Sequence, residues 1–177
     1  MITSEAGLVP DPRIHYVPPD ILDPGLNGER TLLYYTGQRR LAKNILKDVV
    51  GGYLDRDRRS AAVLRELHAF PPKMADAMGA KNLEVFGHLV DKAWRLNKSL
   101  DPDSTTDSIE RILEAVKAHI FGAKLLGAGG GGFLLIVCRS RPDAQSVRRI
   151  LSDNPPNSRA RFFDFSISRE GLVVTVC

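Results

Sequence analysis

A chain of 177 residues that is 43% hydrophobic and 26% charged has enough apolar material for one compact domain with a core, and too little length for two. Its mean hydropathy of -0.16 is ordinary for a globular protein, and no apolar run approaches the roughly 20 residues that span a bilayer, so no membrane segment is expected. The net charge of +4 is modest, and the arginines of Arg56-Asp57-Arg58-Arg59, Arg139 to Arg141 and Arg148-Arg149 are interleaved with acids and apolar residues. Such charges read as a solvated face, not as the clustered basic stripe with stacking aromatics that nucleic-acid binding requires.

Pro18-Pro19 and Asp23-Pro24-Gly25 favour extended or turn backbone over helix, so residues 1–29 are expected to be an irregular lead-in and 30–177 the folded domain. Thr31 to Tyr35 is aromatic and apolar like a buried strand, and Thr36-Gly37 is a plausible turn and N-cap for a helix. That helix would carry Leu41, Ile45, Leu46, Val49 and Val50 on one face and stop at Gly51-Gly52. A second helical stretch starts near Ser60 with Val63, Leu64 and Leu67, breaks or kinks at Pro71-Pro72, and resumes to Met78-Gly79. The next helix, Leu83 to Leu100, places Leu83, Phe86, Val90, Ala93 and Leu100 on one stripe, and Asn97 falls on the same stripe.

After Asp101-Pro102, Thr106 or Asp107 can cap a helix that carries Ile109, Ile112, Leu113, Val116 and Ile120, with Gly122 as its end. Phe133 to Cys138 is an apolar run of strand length. Arg141-Pro142-Asp143 opens a helix with Val147, Ile150 and Leu151 inward, and Arg159 to Ile167 reads as another strand, completing a β-α-β unit. Glu170-Gly171 turns the chain into a last strand, Leu172 to Val176. The expected class is α+β.

Met1 to Pro10 lacks the basic start and apolar stretch of an export signal, which makes a cytoplasmic location the expectation. Cys138 sits in an apolar run and Cys177 is the last residue, a pattern of a buried thiol and a tail and not of a disulfide framework. His15, His68, His88 and His119 are too dispersed for a metal site, and Trp94 suits core or interface packing. Asp101 and Asp103 follow a helix end, where turn and capping roles are common, so neither is expected to be a catalytic acid.

Five glycines in the six positions Gly127, Ala128, Gly129, Gly130, Gly131 and Gly132 make a poor helix or strand interior, because glycine loses the most backbone freedom on folding. What glycine offers is positive φ and close approach, so that successive amides can hold an anion such as phosphate, or pack against another loop. No Lys-Ser or Lys-Thr follows, and the loop leads into a strand where a dinucleotide-binding loop would open a helix. On residues alone a wide glycine hairpin joining a helix to a strand stays open beside the phosphate reading. Thr36 and Gly37, with Arg39 and Arg40 adding charge, could stabilise an anionic or polyhydroxy ligand or merely cap a helix. Asn97, polar on an apolar stripe, must be bonded internally or face a site, with Lys98 on its flank.

The string Gly122-Ala123-Lys124-Leu125-Leu126 followed by Gly127 to Gly132 resembles the third conserved motif of the GHMP kinases, the family of galactokinase, mevalonate kinase and homoserine kinase. Tyr34-Tyr35-Thr36-Gly37-Gln38-Arg39-Arg40-Leu41-Ala42-Lys43-Asn44-Ile45-Leu46 looks like the C-terminal kinase region of the bifunctional L-fucokinase/GDP-fucose pyrophosphorylases and, more loosely, of heptose-7-phosphate kinases. Trp94 to Asp101 and Asn154 to Gly171 are similar to the same branch. Pro71-Pro72 and Leu126 depart from the family pattern.

The resemblance implies a GHMP kinase C-terminal, ferredoxin-like domain: an antiparallel sheet with helices packed on one side. It implies that Gly127 to Gly132 support a phosphate loop from the nucleotide side, and that Thr36, Gly37, Arg40, Asn97 and Lys98 lie on the substrate side. Neither the Pro-rich first motif nor the phosphate loop of the family occurs between Met1 and Cys177, so no catalytic residue and no metal ligand is assigned here. The implied partners are an N-terminal GHMP kinase domain and a sugar, with ATP and Mg2+ in the complete enzyme and a homodimer compatible with the fold. The implied reaction is phosphoryl transfer to an anomeric hydroxyl, L-fucose being the first choice of sugar. The alternatives are part of a heptose-7-phosphate kinase, or a detached non-catalytic module for binding or oligomerisation.

Overall fold

A computed structural model describes residues 1–4, 9, 11–38, 57–127 and 129–168. The lead-in is less irregular than its prolines suggest. It holds a hairpin of β1 (Ile2–Ser4) and β2 (Pro12–Ile14), then a single helical turn, α1 (Pro24–Asn27), capped by Asp23, whose carboxylate accepts the Gly25 amide. Pro24 fits the first helical position because its missing donor would have had no partner there. Strand β3 (Thr31–Tyr35) follows.

Three helices come next, α2 (Arg58–His68), α3 (Phe70–Gly79) and α4 (Leu83–Leu100). The break expected at Pro71-Pro72 is real: both prolines lie in the first turn of α3, just after Ala69, where a helix tolerates them. A 3-10 turn (Pro102–Ser104) leads to α5 (Asp107–Val116), capped by Thr106, and a second one (Lys117–His119) leads to β4 (Ile120–Leu125). Strand β5 (Phe133–Cys138), α6 (Arg141–Asp153) and β6 (Arg161–Phe163) complete the described elements.

Strand β4 corrects the sequence reading, which carried the preceding helix on through Ile120 and ended it at Gly122. Ile120 continues the helical spacing of Ile109, Ile112 and Val116, and this coincidence hides the switch to extended backbone. Gly122 is there for contact, not termination: a Cβ on it would overlap the Gly87 carbonyl and come within 2.8 Å of the Asp91 Cβ. A Cβ on Gly87 would in turn lie 2.5 Å from the Phe121 Cβ, so α4 and β4 touch backbone to backbone. The strand expected over Arg159 to Ile167 shortens to Arg161–Phe163. The helix expected from Leu41 to Val50 and the strand expected from Leu172 to Val176 lie outside the described residues.

The four long-range strands form one antiparallel sheet in the order β4-β5-β3-β6. In it Thr31 pairs with Val137, Tyr35 with Phe133, Tyr34 with Phe162, and Ala123 with Ile136. The β-α-β unit of β5, α6 and β6 is therefore split by β3, which is the ferredoxin-like arrangement. Leu134, Ile136 and Cys138 of β5 face the crossover helices and pack with Ile109, Ile112 and Val116 of α5 and Ala144, Val147 and Leu151 of α6. Val137 alternates to the opposite face, where Ile21, Ala77 and Met78 of the lead-in and α3, with Leu83, Phe86 and Val90 of α4, cover it. The expected helix layer is thus the α5–α6 pair, and a smaller packing of α3 and the first half of α4 is added behind it. No helix of the described residues is long and apolar enough to cross a membrane.

Candidate functional site

The glycine segment joins β4 to β5, so it links two strands and not a helix to a strand as the sequence reading had it; the Leu126 amide donates to the Phe133 carbonyl at 2.8 Å across its base. Gly127, Gly129, Gly130, Gly131 and Gly132 all have positive φ, from 73° to 153°. Ala128 lies outside the described residues. Two distant segments wedge the loop. On one side the Gly130 amide donates to the Ser104 carbonyl at 2.6 Å, and a Cβ on Gly129 would sit 2.6 Å from that same oxygen. On the other the Gly132 amide donates to the Gln38 carbonyl at 3.0 Å, and a Cβ on Gly131 would sit 2.8 Å from it. The glycines are therefore required by close backbone approach, and at least two of the amides that could have cradled an anion are spent internally.

Thr36 is 1% exposed and bonds the glycine loop: its amide and its hydroxyl both donate to the Gly132 carbonyl, at 2.9 and 3.0 Å. Gly37 has φ 73° and lies under the Asn157 carboxamide, which any Cβ at position 37 would overlap. That carboxamide donates to the Thr36 carbonyl at 2.8 Å and accepts from the Arg159 amide at 3.0 Å, so it pins the turn from the far end of the chain. Gln38 also reaches Thr106, its side-chain oxygen accepting from the hydroxyl at 3.4 Å. Thr36 and Gly37 are thus brought against the glycine loop, while Arg40 lies outside the described residues.

Asn97 and Lys98 belong to a second cluster, around Trp94. With the amide oriented to satisfy both neighbours, the Asn97 oxygen accepts from Lys124 Nζ at 2.7 Å and its nitrogen donates to the Ala93 carbonyl at 3.2 Å. Lys124 also donates to the Leu125 carbonyl at 3.3 Å and stands 5.9 Å from the Trp94 ring centre, and its burial lowers its pKa. Lys98 forms a two-pronged ion pair with Glu110 at 2.9 and 3.0 Å. Burial alone would raise the Glu110 pKa, but hydrogen bonds from Thr105 and Lys98 and the Lys98 charge outweigh it, and the net shift is downward. Both residues assigned to the substrate side are satisfied by protein partners. The cleft beside them, about 330 Å³ and lined by Arg95, Lys98, Glu110, Lys117 and Arg139, has three of its cations paired with Asp91, Glu110 and Glu114.

Sequence reasoning missed Gln38, Ser104, Lys124 and Asn157. Lys124 carried a readable signal, a cation in a strand between apolar neighbours; the other three act mainly by what they pack against, which no local pattern announces. Among the described residues no group of three or more His, Cys, Asp or Glu side chains could hold a metal ion.

Residues 74–157 match the family model described as GHMP kinases C terminal. This stretch runs from within α3 to Asn157 and holds the glycine loop, Asn97, Lys98 and Ser104. The matched residues, 74–157, form a GHMP kinase C-terminal domain. Over 175 residues, 99% of the chain, it is 34% identical to an L-fucokinase/L-fucose-1-P guanylyltransferase of Bacteroides fragilis, of which it covers 18%. Over 126 residues, 71% of the chain, it is 33% identical to a bifunctional fucokinase/GDP-fucose pyrophosphorylase of Arabidopsis thaliana, of which it covers 12%. The chain thus spans less than a fifth of the length of either relative. In fold, 75% of this chain is similar to 41% of the L. major mevalonate kinase solved in complex with R-mevalonate, with TM-score 0.65 at 18% identity.

Proposed function

We propose that this chain is the C-terminal part of an ATP-dependent sugar kinase that phosphorylates the anomeric hydroxyl of L-fucose. The observation that carries the reading is the 34% identity to the Bacteroides fragilis L-fucokinase/L-fucose-1-P guanylyltransferase along 99% of the chain. In this reading the Gly127 to Gly132 loop stands behind the phosphate loop of an N-terminal domain, and the Thr36-Gly37 turn approaches the sugar.

The loop's own hydrogen bonds suit a brace better than a direct phosphate cradle. In this reading ATP and Mg2+ are held mainly by the N-terminal domain with its phosphate loop, where they supply the phosphoryl group and neutralise its charge. What this chain contributes is position: a loop whose backbone is braced at Gly130 by Ser104 and at Gly132 by Gln38 and Thr36, behind the phosphate loop.

The test joins the chain to a GHMP ATP-loop half, either in the longer polypeptide or by mixing with that half of the Bacteroides relative, and follows sugar 1-phosphate by 31P NMR. Transfer to L-fucose is expected, ahead of galactose and of a heptose 7-phosphate. The 177 residues alone are expected to be inactive and to bind ATP weakly by calorimetry. Robust ATP turnover by the isolated chain, or no transfer to any of the three sugars by the joined halves, would overturn the reading.

A further inference from the structure

The turn between α4 and α5 is closed by its own hydrogen bonds. Asp101 and Ser104 are 6% and 3% exposed, and the Asp101 Oδ2 and the Ser104 hydroxyl have no hydrogen-bond partner among the described residues. Asp101 Oδ1 accepts the Asp103 amide at 3.0 Å, and the Asp101 carbonyl accepts the Ser104 amide at 3.0 Å. Pro102 stiffens the same turn at its first helical position. Ser104 then presents its carbonyl to the Gly130 amide at 2.6 Å, while a Cβ on Gly129 would lie only 2.8 Å from the Ser104 Cβ. The carboxylate therefore reaches the glycine loop only through Asp103 and Ser104, and touches no residue of the loop in any hydrogen bond described.

We propose that Asp101 is a positioning residue of the kinase reaction: by closing the Pro102–Ser104 turn it sets the Ser104 carbonyl, and through it the backbone of Gly129 and Gly130 on the nucleotide side. The proposal rests on the sugar-kinase reading above. Asp101 does no chemistry; it fixes the surface that backs the phosphate loop. The part that matters is the Oδ1 acceptor, which an amide retains, and not the negative charge.

The complete kinase polypeptide is compared with its D101A and D101N variants. In D101A the KM for ATP is expected to rise at least about fivefold and kcat to fall, with the KM for the sugar within about twofold; D101N stays within about threefold of the parent. Amide hydrogen exchange of the peptide spanning residues 127–133 should accelerate at least about tenfold in D101A and stay unchanged in D101N. If D101A does not fold, D101S, which keeps a shorter acceptor, takes its place with the same pattern and a smaller change. The proposal is overturned if D101N is as impaired as D101A, if ATP and sugar KM values move together, or if loop exchange is unaltered while only the melting temperature falls. A parent polypeptide that phosphorylates no sugar sinks the kinase reading alone, and the exchange comparison still decides whether Asp101 braces the loop.

Discussion

Replacing Gly37 by alanine perturbs two things that can be separated. The residue has φ 73°, where an L side chain costs about 1–2 kcal/mol. The new methyl would also overlap the Asn157 carboxamide, which must swing away and give up its 2.8 Å bond to the Thr36 carbonyl. Losing that bond and leaving the carbonyl of a buried residue unpaired costs about 1–3 kcal/mol, so Gly37→Ala is expected to destabilise by about 2–5 kcal/mol in all. Asn157→Ala alone removes the same bond, at about 1–3 kcal/mol.

In the double variant the methyl meets no carboxamide and the bond is lost only once. The double variant should therefore cost no more than Gly37→Ala alone, and the two single effects should exceed their combination by about 1–3 kcal/mol. Urea denaturation of the four proteins, read as shifts in midpoint at constant slope, measures the cycle. Additivity within about 0.5 kcal/mol would refute the reasoning, because it would mean that the two side chains do not meet.

Gly122→Ala drives a methyl into the backbone of α4, which cannot yield as a flexible side chain could, so a loss of about 3 kcal/mol or more is expected in the same denaturation assay. Lys124→Met tests the buried ammonium by its pH dependence. Because its folded pKa lies below the ordinary 10.5, the unfolded chain binds more protons between those values and Lys124 makes stability rise with pH there. The parent-minus-variant stability should climb as pH approaches 10.5 from neutrality, and a flat or falling difference would refute it. Taking the difference removes the opposing trend from Cys138, whose thiol burial pushes up to about 12.

The helices were legible where burial follows one clean stripe. The expected helix from Leu83 to Leu100 matches α4 end to end, and Phe133 to Cys138 matches β5. Strand β4 was hidden because Ile120 satisfies both the helical period behind it and the strand ahead, so local spacing could not place the switch. The role of Gly122 was misread for a related reason: a glycine that ends a helix and one that lets a helix lie against a strand look alike until the partner, Gly87, is in view. At the site the loop itself was readable, but its function as a wedge was not. Positive φ can be inferred from glycine, whereas the carbonyls of Gln38 and Ser104 that exclude side chains there lie on segments far away in sequence. Asn97 shows the converse case: its polarity on an apolar stripe was correctly seen as demanding a partner, and the partner, Lys124, lies on another element.

The glycine loop and the Thr36–Gln38 turn, which the sequence presents as two separate stretches, are mechanically one unit. Gly132 accepts two hydrogen bonds from Thr36 and gives one to Gln38, so three bonds tie the end of the glycine loop to the turn that holds Gly37. The opposite flank of the loop is tied to the turn after α4 through Ser104. A displacement of the Thr36–Gln38 turn must therefore carry Gly132 with it, since its amide and carbonyl are both bonded to that turn. It follows that a substitution at Gly37 should disturb the backbone of the glycine loop. A substitution at Asp101 enters from the other flank, so its effect should stay on Gly129 and Gly130 unless it unseats the loop altogether.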